Sequence, residues 1–183
     1  WSEAQRQAIY ADPKWRDGAY PLDDPPTEGL ATARMMAMVS YRSQPSFEGR
    51  FGRDVMADQE ETPYAVESYL RHHGQKLVDR FDANCYVSLT QQMDSHDVAH
   101  GRGDYQAVLG SIEQPSLVVG IDSDVLYPLS EQQELVEHLP HATLQVLEAP
   151  HGHDSFLIEL DTLNEVVTAW RSEQDAVRSS VAA

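Results

Sequence analysis

The sequence predicts an α/β fold that follows a mainly helical region. Two short strand-like segments, 116–121 and 143–147, are each followed by a loop and then by a helical segment. Before residue 114, apolar residues recur at helical spacing and strand-like runs are scarce. Repeated strand, loop and helix units build a parallel sheet with functional groups at the carboxyl ends of its strands.

Two helices are predicted near the start of the chain. The first begins at Ser2, and the prolines within 13–26 then require a loop. The segment 28–40 is predicted to be helical, with apolar residues over much of its surface. Pro45 and Gly49 predict a second loop after this helix.

An acidic stretch, 54–61, precedes two further predicted helices. Pro63 stands where the first turn of a helix tolerates proline. Apolar residues at near-helical spacing within 66–81 predict a helix with one buried face, and 83–93 continues in the same style.

The remaining elements follow from apolar runs and breaks after residue 114. The run 116–121 is rich in apolar and β-branched residues, as expected of a buried parallel strand. A helix over 130–139 and the strand 143–147 come next. The segment 156–170 predicts one amphipathic helix, and the tail 172–183 is polar and expected to fray.

Composition and charge restrict the partners of this chain. Its 183 residues are 41% hydrophobic, which indicates a folded protein, and its net charge of −17 repels nucleic acid and anionic membranes. No apolar run approaches the length of about 20 residues that spans a bilayer. The only cysteine, Cys85, cannot form an internal disulfide, so we expect a cytoplasmic protein.

An aspartate and a histidine follow the two predicted strands and are candidates for catalysis. Asp124 follows the first strand and His153 follows the second. In a nucleophilic triad, an acid orients a histidine that removes the proton of the nucleophile, and α/β-hydrolases place nucleophile, acid and base in that chain order. Spacing alone also allows both residues to be ordinary polar loop residues.

No nucleophile accompanies this pair. The motif G-x-S-x-G is absent from the sequence, and Ser123 lacks the flanking glycines of a nucleophile elbow. The helical, apolar surroundings of Cys85 predict a buried structural thiol. We therefore expect that this chain alone does not catalyse acyl transfer.

A zinc site is not predicted. His96 and His100 resemble the histidine pair of the H-E-x-x-H motif, but Asp97 replaces the glutamate and no third ligand stands out.

Several longer stretches carry a more specific signal than spacing does. They are WSEAQRQAIYADPKW, GLATARMMAMVSYRS with the following FEGRFGR, YLRHHGQKLVDRFDANCYVSLTQQMDSHD, GIDSDVLYP and HGHDSFL. Over residues 1 to about 171, the chain resembles homoserine O-acetyltransferases, which are α/β-hydrolase-fold acyltransferases with a helical lid. The resemblance implies a helical lid region at 1–113, the C-terminal part of the α/β-hydrolase core at 114–171 and a polar tail at 172–183.

The resemblance assigns roles to five residues. Asp124 and His153 match the triad aspartate and histidine, and Asp154 matches an acid that contacts the amino group of the amino-acid acceptor. Arg34 matches an arginine that binds the acceptor carboxylate, and Tyr41 matches a nearby substrate-contacting tyrosine. These two are seven residues apart, so both can face one side of a helix. Without the resemblance, Arg34 would be interpreted as an ordinary helix-surface residue.

The resemblance also implies a reaction. Acetyl-CoA serves as co-substrate, its acetyl group passes to the hydroxyl of L-homoserine for methionine biosynthesis, and no permanently bound cofactor is expected. The triad serine and oxyanion hole would lie in a missing N-terminal segment or chain, and the lid is expected to form a homodimer. The lid cations Arg50, Arg53, Arg71, Lys76 and Arg80 could attract the phosphates of coenzyme A, but most are expected to pair with carboxylates.

Three alternatives remain open at this point. The same fold could transfer an acetyl group to serine, or a succinyl group to homoserine. The chain could be a non-catalytic fragment that acts as an interaction module through its lid. It could also be a plain serine hydrolase, although the acceptor-binding residues Arg34, Tyr41 and Asp154 argue against a hydrolase.

Overall fold

Residues 1–56 and 64–181 are described by a computed structural model. The chain divides into two units. The helical unit comprises Trp1–Ser40 and Gln44–His96, and the sheet unit comprises Tyr41–Ser43 and Asp97–Ala183. The predicted boundaries of lid, core and tail stay predictions. Pro63 and most of the acidic stretch lie outside the described residues.

Within residues 1–56 and 64–96, five segments are α-helical. They are α1 (Ser2–Tyr10), α2 (Thr27–Tyr41), α3 (Gln44–Phe51), α4 (Ala65–Val78) and α5 (Ala83–Ser95). The predicted helices at the start of the chain, at 28–40 and at 83–93 are confirmed. The helix predicted within 66–81 is confirmed as α4, which ends before Phe81.

The helical unit is held by a small apolar core and by specific polar contacts. The core side chains come from four of its helices and are Ile9, Leu30, Ala33, Leu77, Ala83 and Val87. Gly29 lets α2 approach α1 closely, because a Cβ there would lie 2.8 Å from the carbonyl oxygen of Ala8. Asp82 caps α5 by accepting a hydrogen bond from the backbone N–H of Cys85 at 3.0 Å.

The loop predicted around Pro45 and Gly49 is wrong, because both residues lie within α3. Pro45 occupies the first turn, where the missing N–H of proline costs no helical hydrogen bond. Gly49 lowers helix stability by about 1 kcal/mol relative to alanine, a cost that does not stop a helix.

In the sheet unit, the residues up to 181 form two parallel strands and four α-helices. They are α6 (Tyr105–Gly110), β1 (Ser116–Ile121), α7 (Leu129–His138), β2 (Ala142–Leu147), α8 (Ser155–Ile158) and α9 (Leu160–Val181). Both predicted strands and the helix between them are confirmed. The strands are in register from Ser116 opposite Ala142 to Ile121 opposite Leu147, so their carboxyl ends meet at one edge.

Three details of the predicted sheet unit are wrong. The final helix is interrupted at Glu159, where the backbone leaves helical geometry, so α8 and α9 are separate. The tail after Arg171 is helical as far as the structure describes it, because α9 continues to Val181. Strand β1 is half-buried over 116–119 and fully buried only at its last two residues.

Candidate active site

The loop that follows β1 fixes the carboxylate of Asp124. One of its oxygens, Oδ1, accepts hydrogen bonds from the backbone N–H groups of Leu126 at 2.8 Å and Tyr127 at 3.0 Å. The side chain is only 4% exposed. These two bonds hold the carboxylate and leave Oδ2 to another donor.

The loop that follows β2 is tied to the first loop through Ser123. Its hydroxyl donates a short hydrogen bond to the carbonyl of Ala149 and accepts one from the N–H of Gly152 at 2.9 Å. Asp122 adds a third link, because its Oδ1 accepts from the N–H of Ala149 at 3.0 Å. The two strand-end loops therefore form one hydrogen-bonded structure.

The Ser123 bridge leads to a stability prediction. Ser123→Ala leaves the N–H of Gly152 and the carbonyl of Ala149 without these partners. Urea denaturation should show a loss of about 1–3 kcal/mol in unfolding free energy. Ser172→Ala is the matched control, because that exposed hydroxyl bonds only to a carbonyl of its own helix. Equal small losses in both variants would contradict the bridging role.

Gly152 brings the second loop against the segment 41–43. Its φ is +70°, and a Cβ there would lie 2.6 Å from the backbone nitrogen of Ser43 and 2.8 Å from the carbonyl carbon of Arg42. The Ser43 hydroxyl donates a short hydrogen bond to the carbonyl of Pro150. Only glycine permits both this backbone conformation and this close approach.

The two loops place His153 against Asp124. Nδ1 of the imidazole lies 2.8 Å from Oδ2 of the carboxylate, and the histidine side chain is 26% exposed. A carboxylate accepts hydrogen bonds, so Nδ1 carries the proton and Nε2 is left as an acceptor. This arrangement can remove a proton from a hydroxyl presented to Nε2 and stabilise the resulting imidazolium.

Three aromatic rings surround the imidazole of His153. The ring centroids of Tyr41, Tyr127 and Phe156 lie 5.6, 5.3 and 5.4 Å from it, respectively. They restrict the rotation of the imidazole and limit its contact with water. The structure thus brings Tyr41 to the Asp124–His153 pair, while its substrate-binding role stays a prediction.

Asp154 is paired with an arginine that sequence analysis did not single out. Nε of Arg42 lies 3.0 Å from Oδ2 of Asp154, and both side chains are 16% exposed. The two groups are close enough to form an ion pair, but the Nε–H of Arg42 makes no hydrogen bond to Asp154. Its partial burial fixes the carboxylate beside His153, and the second carboxylate oxygen can accept from another donor.

Arg34 belongs to the helical unit. It is half-buried on α2, two turns before Tyr41, as its spacing predicts. Its role as a carboxylate-binding residue stays a prediction.

Comparison with known proteins places this architecture in a family. A family model described as alpha/beta hydrolase fold matches residues 1–160. The chain belongs to the α/β-hydrolase-fold family. The fold class predicted from the sequence is therefore confirmed.

Within this family, several similar relatives are named homoserine O-acetyltransferase. The chain is 77% identical over 183 residues to the homoserine O-acetyltransferase of Salinibacter ruber (strain DSM 13855 / M31), covering 100% of this chain and 51% of the relative. It is 61% identical over 172 residues to that of Trichormus variabilis (strain ATCC 29413 / PCC 7937), covering 93% and 46%. The predicted resemblance is confirmed, and the chain spans about half the length of the curated relatives it matches.

A solved structure agrees on the fold. The homoserine O-acetyltransferase from Bacillus anthracis superposes with a TM-score of 0.81 at 20% identity, over 92% of this chain and 47% of that one. At this identity the likeness supports the fold only.

The serines near His153 in this α/β-hydrolase are structural. Ser43, Ser123 and Ser155 each donate their hydroxyl to a backbone carbonyl in or beside the loop that carries His153. Across residues 1–56 and 64–181, no serine hydroxyl or cysteine thiol is hydrogen-bonded to the imidazole. The described residues supply the acid Asp124 and the base His153, but no nucleophile hydrogen-bonded to that base.

Cys85 and the pair His96 and His100 lie on or just after α5. The expected burial of Cys85 is wrong: the thiol is exposed, because the buried face of α5 consists of Ala83, Val87 and Thr90. His96 and His100 both lie beyond the end of α5, so they do not share a helical turn.

The described residues contain neither a candidate metal site nor a candidate membrane span. Residues 1–56 and 64–181 contain no group of three or more His, Cys, Asp or Glu side chains placed to hold a metal ion. In the same part of the chain, no helix has the length and apolar character needed to cross a bilayer.

Proposed function

We propose that this chain is part of an acyltransferase that moves an acetyl group from acetyl-CoA to the hydroxyl of L-homoserine. The observation that carries the proposal is the 2.8 Å contact between His153 Nδ1 and Asp124 Oδ2 at the ends of two parallel strands. Its support is the chain's 77% identity to a homoserine O-acetyltransferase.

The first step forms an acyl-enzyme. A serine hydroxyl from outside residues 1–183 attacks the thioester carbonyl while Nε2 of His153 takes its proton. Backbone amides, also from outside these residues, stabilise the oxyanion. The carbon–sulfur bond then breaks, and the imidazolium returns the proton to the leaving thiolate of coenzyme A. Asp124 stabilises the imidazolium throughout this exchange.

The second step transfers the acetyl group to the acceptor. The side-chain hydroxyl of homoserine attacks the acetyl-serine, and Nε2 of His153 takes the hydroxyl proton. Collapse of the tetrahedral intermediate breaks the bond to serine, which regains a proton from the imidazolium. The products are O-acetyl-L-homoserine and the regenerated serine. In this proposal the product feeds methionine biosynthesis, and the enzyme works in the cytoplasm as a homodimer joined through its helical lid.

Recognition of the acceptor requires one cation and one anion. A guanidinium binds a carboxylate through two parallel hydrogen bonds, which is the role proposed for Arg34. A carboxylate accepts from the ammonium group, which is the role proposed for Asp154, and its ion pair with Arg42 fixes that carboxylate in place. Tyr41, beside the imidazole, would contact the bound amino acid. Holding homoserine in line favours its hydroxyl over water.

The direct test uses the full-length protein with acetyl-CoA. Release of coenzyme A is followed with L-homoserine, with L-serine and with no acceptor, and the acetylated product is identified by mass spectrometry. We expect fast turnover and O-acetyl-homoserine only with homoserine. Equal turnover without acceptor would indicate a hydrolase, and preference for serine or for succinyl-CoA would change the substrate assignment. Absence of turnover with every donor and acceptor would support a non-catalytic interaction module.

Arg34→Ala separates acceptor binding from acylation. The variant should raise the KM for homoserine about 10- to 100-fold, because one charge-assisted pair of hydrogen bonds is lost. The single-turnover burst of coenzyme A release without acceptor should be unchanged, because that half-reaction does not involve the acceptor.

The control for Arg34→Ala is Arg80→Ala, which removes an exposed cation from the same helical unit. It should leave both half-reactions unchanged. Equal damage by Arg34→Ala to burst and turnover would contradict the proposed acceptor-binding role.

A further inference from the structure

Among residues 1–56 and 64–96, several cations form no ion pair with a carboxylate, although the protein carries a net charge of −17. Arg6, Lys14, Arg16 and Arg42 each form an ion pair with a carboxylate. The predicted pairing of the lid cations is therefore wrong within this part of the chain: Arg50, Arg53, Arg71, Lys76 and Arg80 form no ion pair there.

One of these cations, Arg50, rests on a platform of aromatic rings. Its guanidinium carbon lies 4.8 Å from the ring centroid of Tyr69 and 5.2 Å from that of Phe51. The two rings are themselves 5.0 Å apart. Contact with the ring faces orients the guanidinium without using its hydrogen-bond donors. Those donors are left for an anion.

Helix α4 places one further cation, Lys76, and two imidazoles on the same face as Tyr69. Positions 69, 72, 73 and 76 fall within an arc of about 100° at the helical repeat, so Tyr69, His72, His73 and Lys76 share one face. The ring of His73 packs edge-on against Tyr69 at 4.5 Å. Arg71 falls on the opposite side of the same helix. We call Arg50, Tyr69, His72, His73 and Lys76 the basic–aromatic cluster.

The basic–aromatic cluster contains two permanent cations, Arg50 and Lys76. Burial lowers the pKa of the His73 imidazole below its ordinary value, and neighbouring positive charges lower it further. Arg34, Lys76 and Arg50 are permanent cations among the groups that act on it. The overall charge of the protein repels anions, but the electrostatic potential near Arg50 and Lys76 is locally favourable for an anion.

We propose that the basic–aromatic cluster binds a phosphate group at the nucleotide end of the acetyl-CoA donor. The inference rests on the proposed function, since it names the part of the donor that this surface recognises. Guanidinium and ammonium groups are the usual partners of phosphate oxygens. An anionic donor approaching this protein is repelled by the overall charge, so a cationic surface is needed where its phosphates lie. The phosphates are chemically remote from the thioester, so the site need not touch the reacting atoms.

The test compares two donors in the full-length protein. Acetyl-CoA carries the nucleotide phosphates, whereas S-acetylpantetheine has the same thioester and no phosphate. Arg50→Gln should raise the KM for acetyl-CoA about tenfold, because a charge-assisted contact to phosphate is lost. It should leave kcat, the KM for S-acetylpantetheine and the KM for homoserine unchanged. Lys76→Gln should act in the same direction.

The matched control is Arg71→Gln, an exposed cation on the opposite side of α4, which should leave both KM values for the donors unchanged. Equal effects of Arg50→Gln and Arg71→Gln, or equal effects on both donors, would overturn the inference while leaving the proposed function standing. A raised KM for homoserine alone would also overturn it, because the bound anion would then be the acceptor carboxylate. A wild-type protein that turns over neither donor overturns the proposed function and this inference with it.

Discussion

Replacing His153 with alanine in the full-length protein is expected to lower kcat for acetyl transfer by at least about 10⁴-fold. The imidazole is the only base held by Asp124 in the described residues, and its Nε2 is the atom left to accept a proton. Both half-reactions need that proton transfer. Rapid-mixing measurements should therefore show neither a burst of coenzyme A release nor steady turnover.

The control for this variant is His141→Ala, which removes an exposed imidazole just before β2 in the same unit. It should keep close to wild-type activity. Circular dichroism and thermal melting of both variants would separate loss of catalysis from loss of folding. A normal burst in the His153→Ala protein would show that another group acts as the base, and the proposed mechanism would then be wrong.

The elements that the sequence predicts best are those whose pattern has one physical solution. The run 116–121 is rich in apolar and β-branched residues and too short for a helix, so its placement as strand β1 is confirmed, although its predicted full burial is wrong over 116–119. Helix α3 was missed because Pro45 and Gly49 are usual loop residues, and only their positions along the helix make them tolerable. Backbone geometry at Glu159 splits the last helical pattern, and periodicity does not register such a break.

The pairing of Asp124 with His153 could be predicted because parallel strands bring their carboxyl ends to one edge. The ion pair between Arg42 and Asp154 could not be predicted, since the two residues are far apart in sequence and no spacing rule links them. Tyr127 and Phe156 belong to the stretches GIDSDVLYP and HGHDSFL, which carry the family resemblance. The signal for these rings was therefore present, but their packing around the imidazole requires the folded loops.

The ion pairing of the lid cations could not be predicted from the sequence either. An excess of carboxylates made it natural to expect that Arg50 and Lys76 would pair, because composition gives totals and not positions. The structure instead places Arg50 over two aromatic rings, with no carboxylate partner among the described residues. Where a cation lies relative to acids depends on which helix face it occupies, and that follows from packing.

Gly152→Ala is expected to lower the unfolding free energy by about 3 kcal/mol, from a left-handed backbone and a steric clash together. The added Cβ would lie 2.6 Å from the nitrogen of Ser43, and backbone atoms do not yield as a flexible side chain does. Relief of the clash must move the loop that carries His153, so acetyl transfer should fall as well. Urea denaturation and steady-state kinetics on the full-length protein measure the two effects.

The chain supplies a control that isolates the clash from the backbone strain. Gly101 has a φ of +69°, nearly the same as the +70° of Gly152, but a Cβ there would meet nothing within 4 Å. Gly101→Ala should therefore cost only the strain of about 1–2 kcal/mol and leave catalysis unchanged. If both variants lose the same stability and neither loses activity, contact with the segment 41–43 does not position His153. If the close approach of Gly152 to Ser43 positions His153, only Gly152→Ala should lose activity, and it should lose more unfolding free energy than Gly101→Ala.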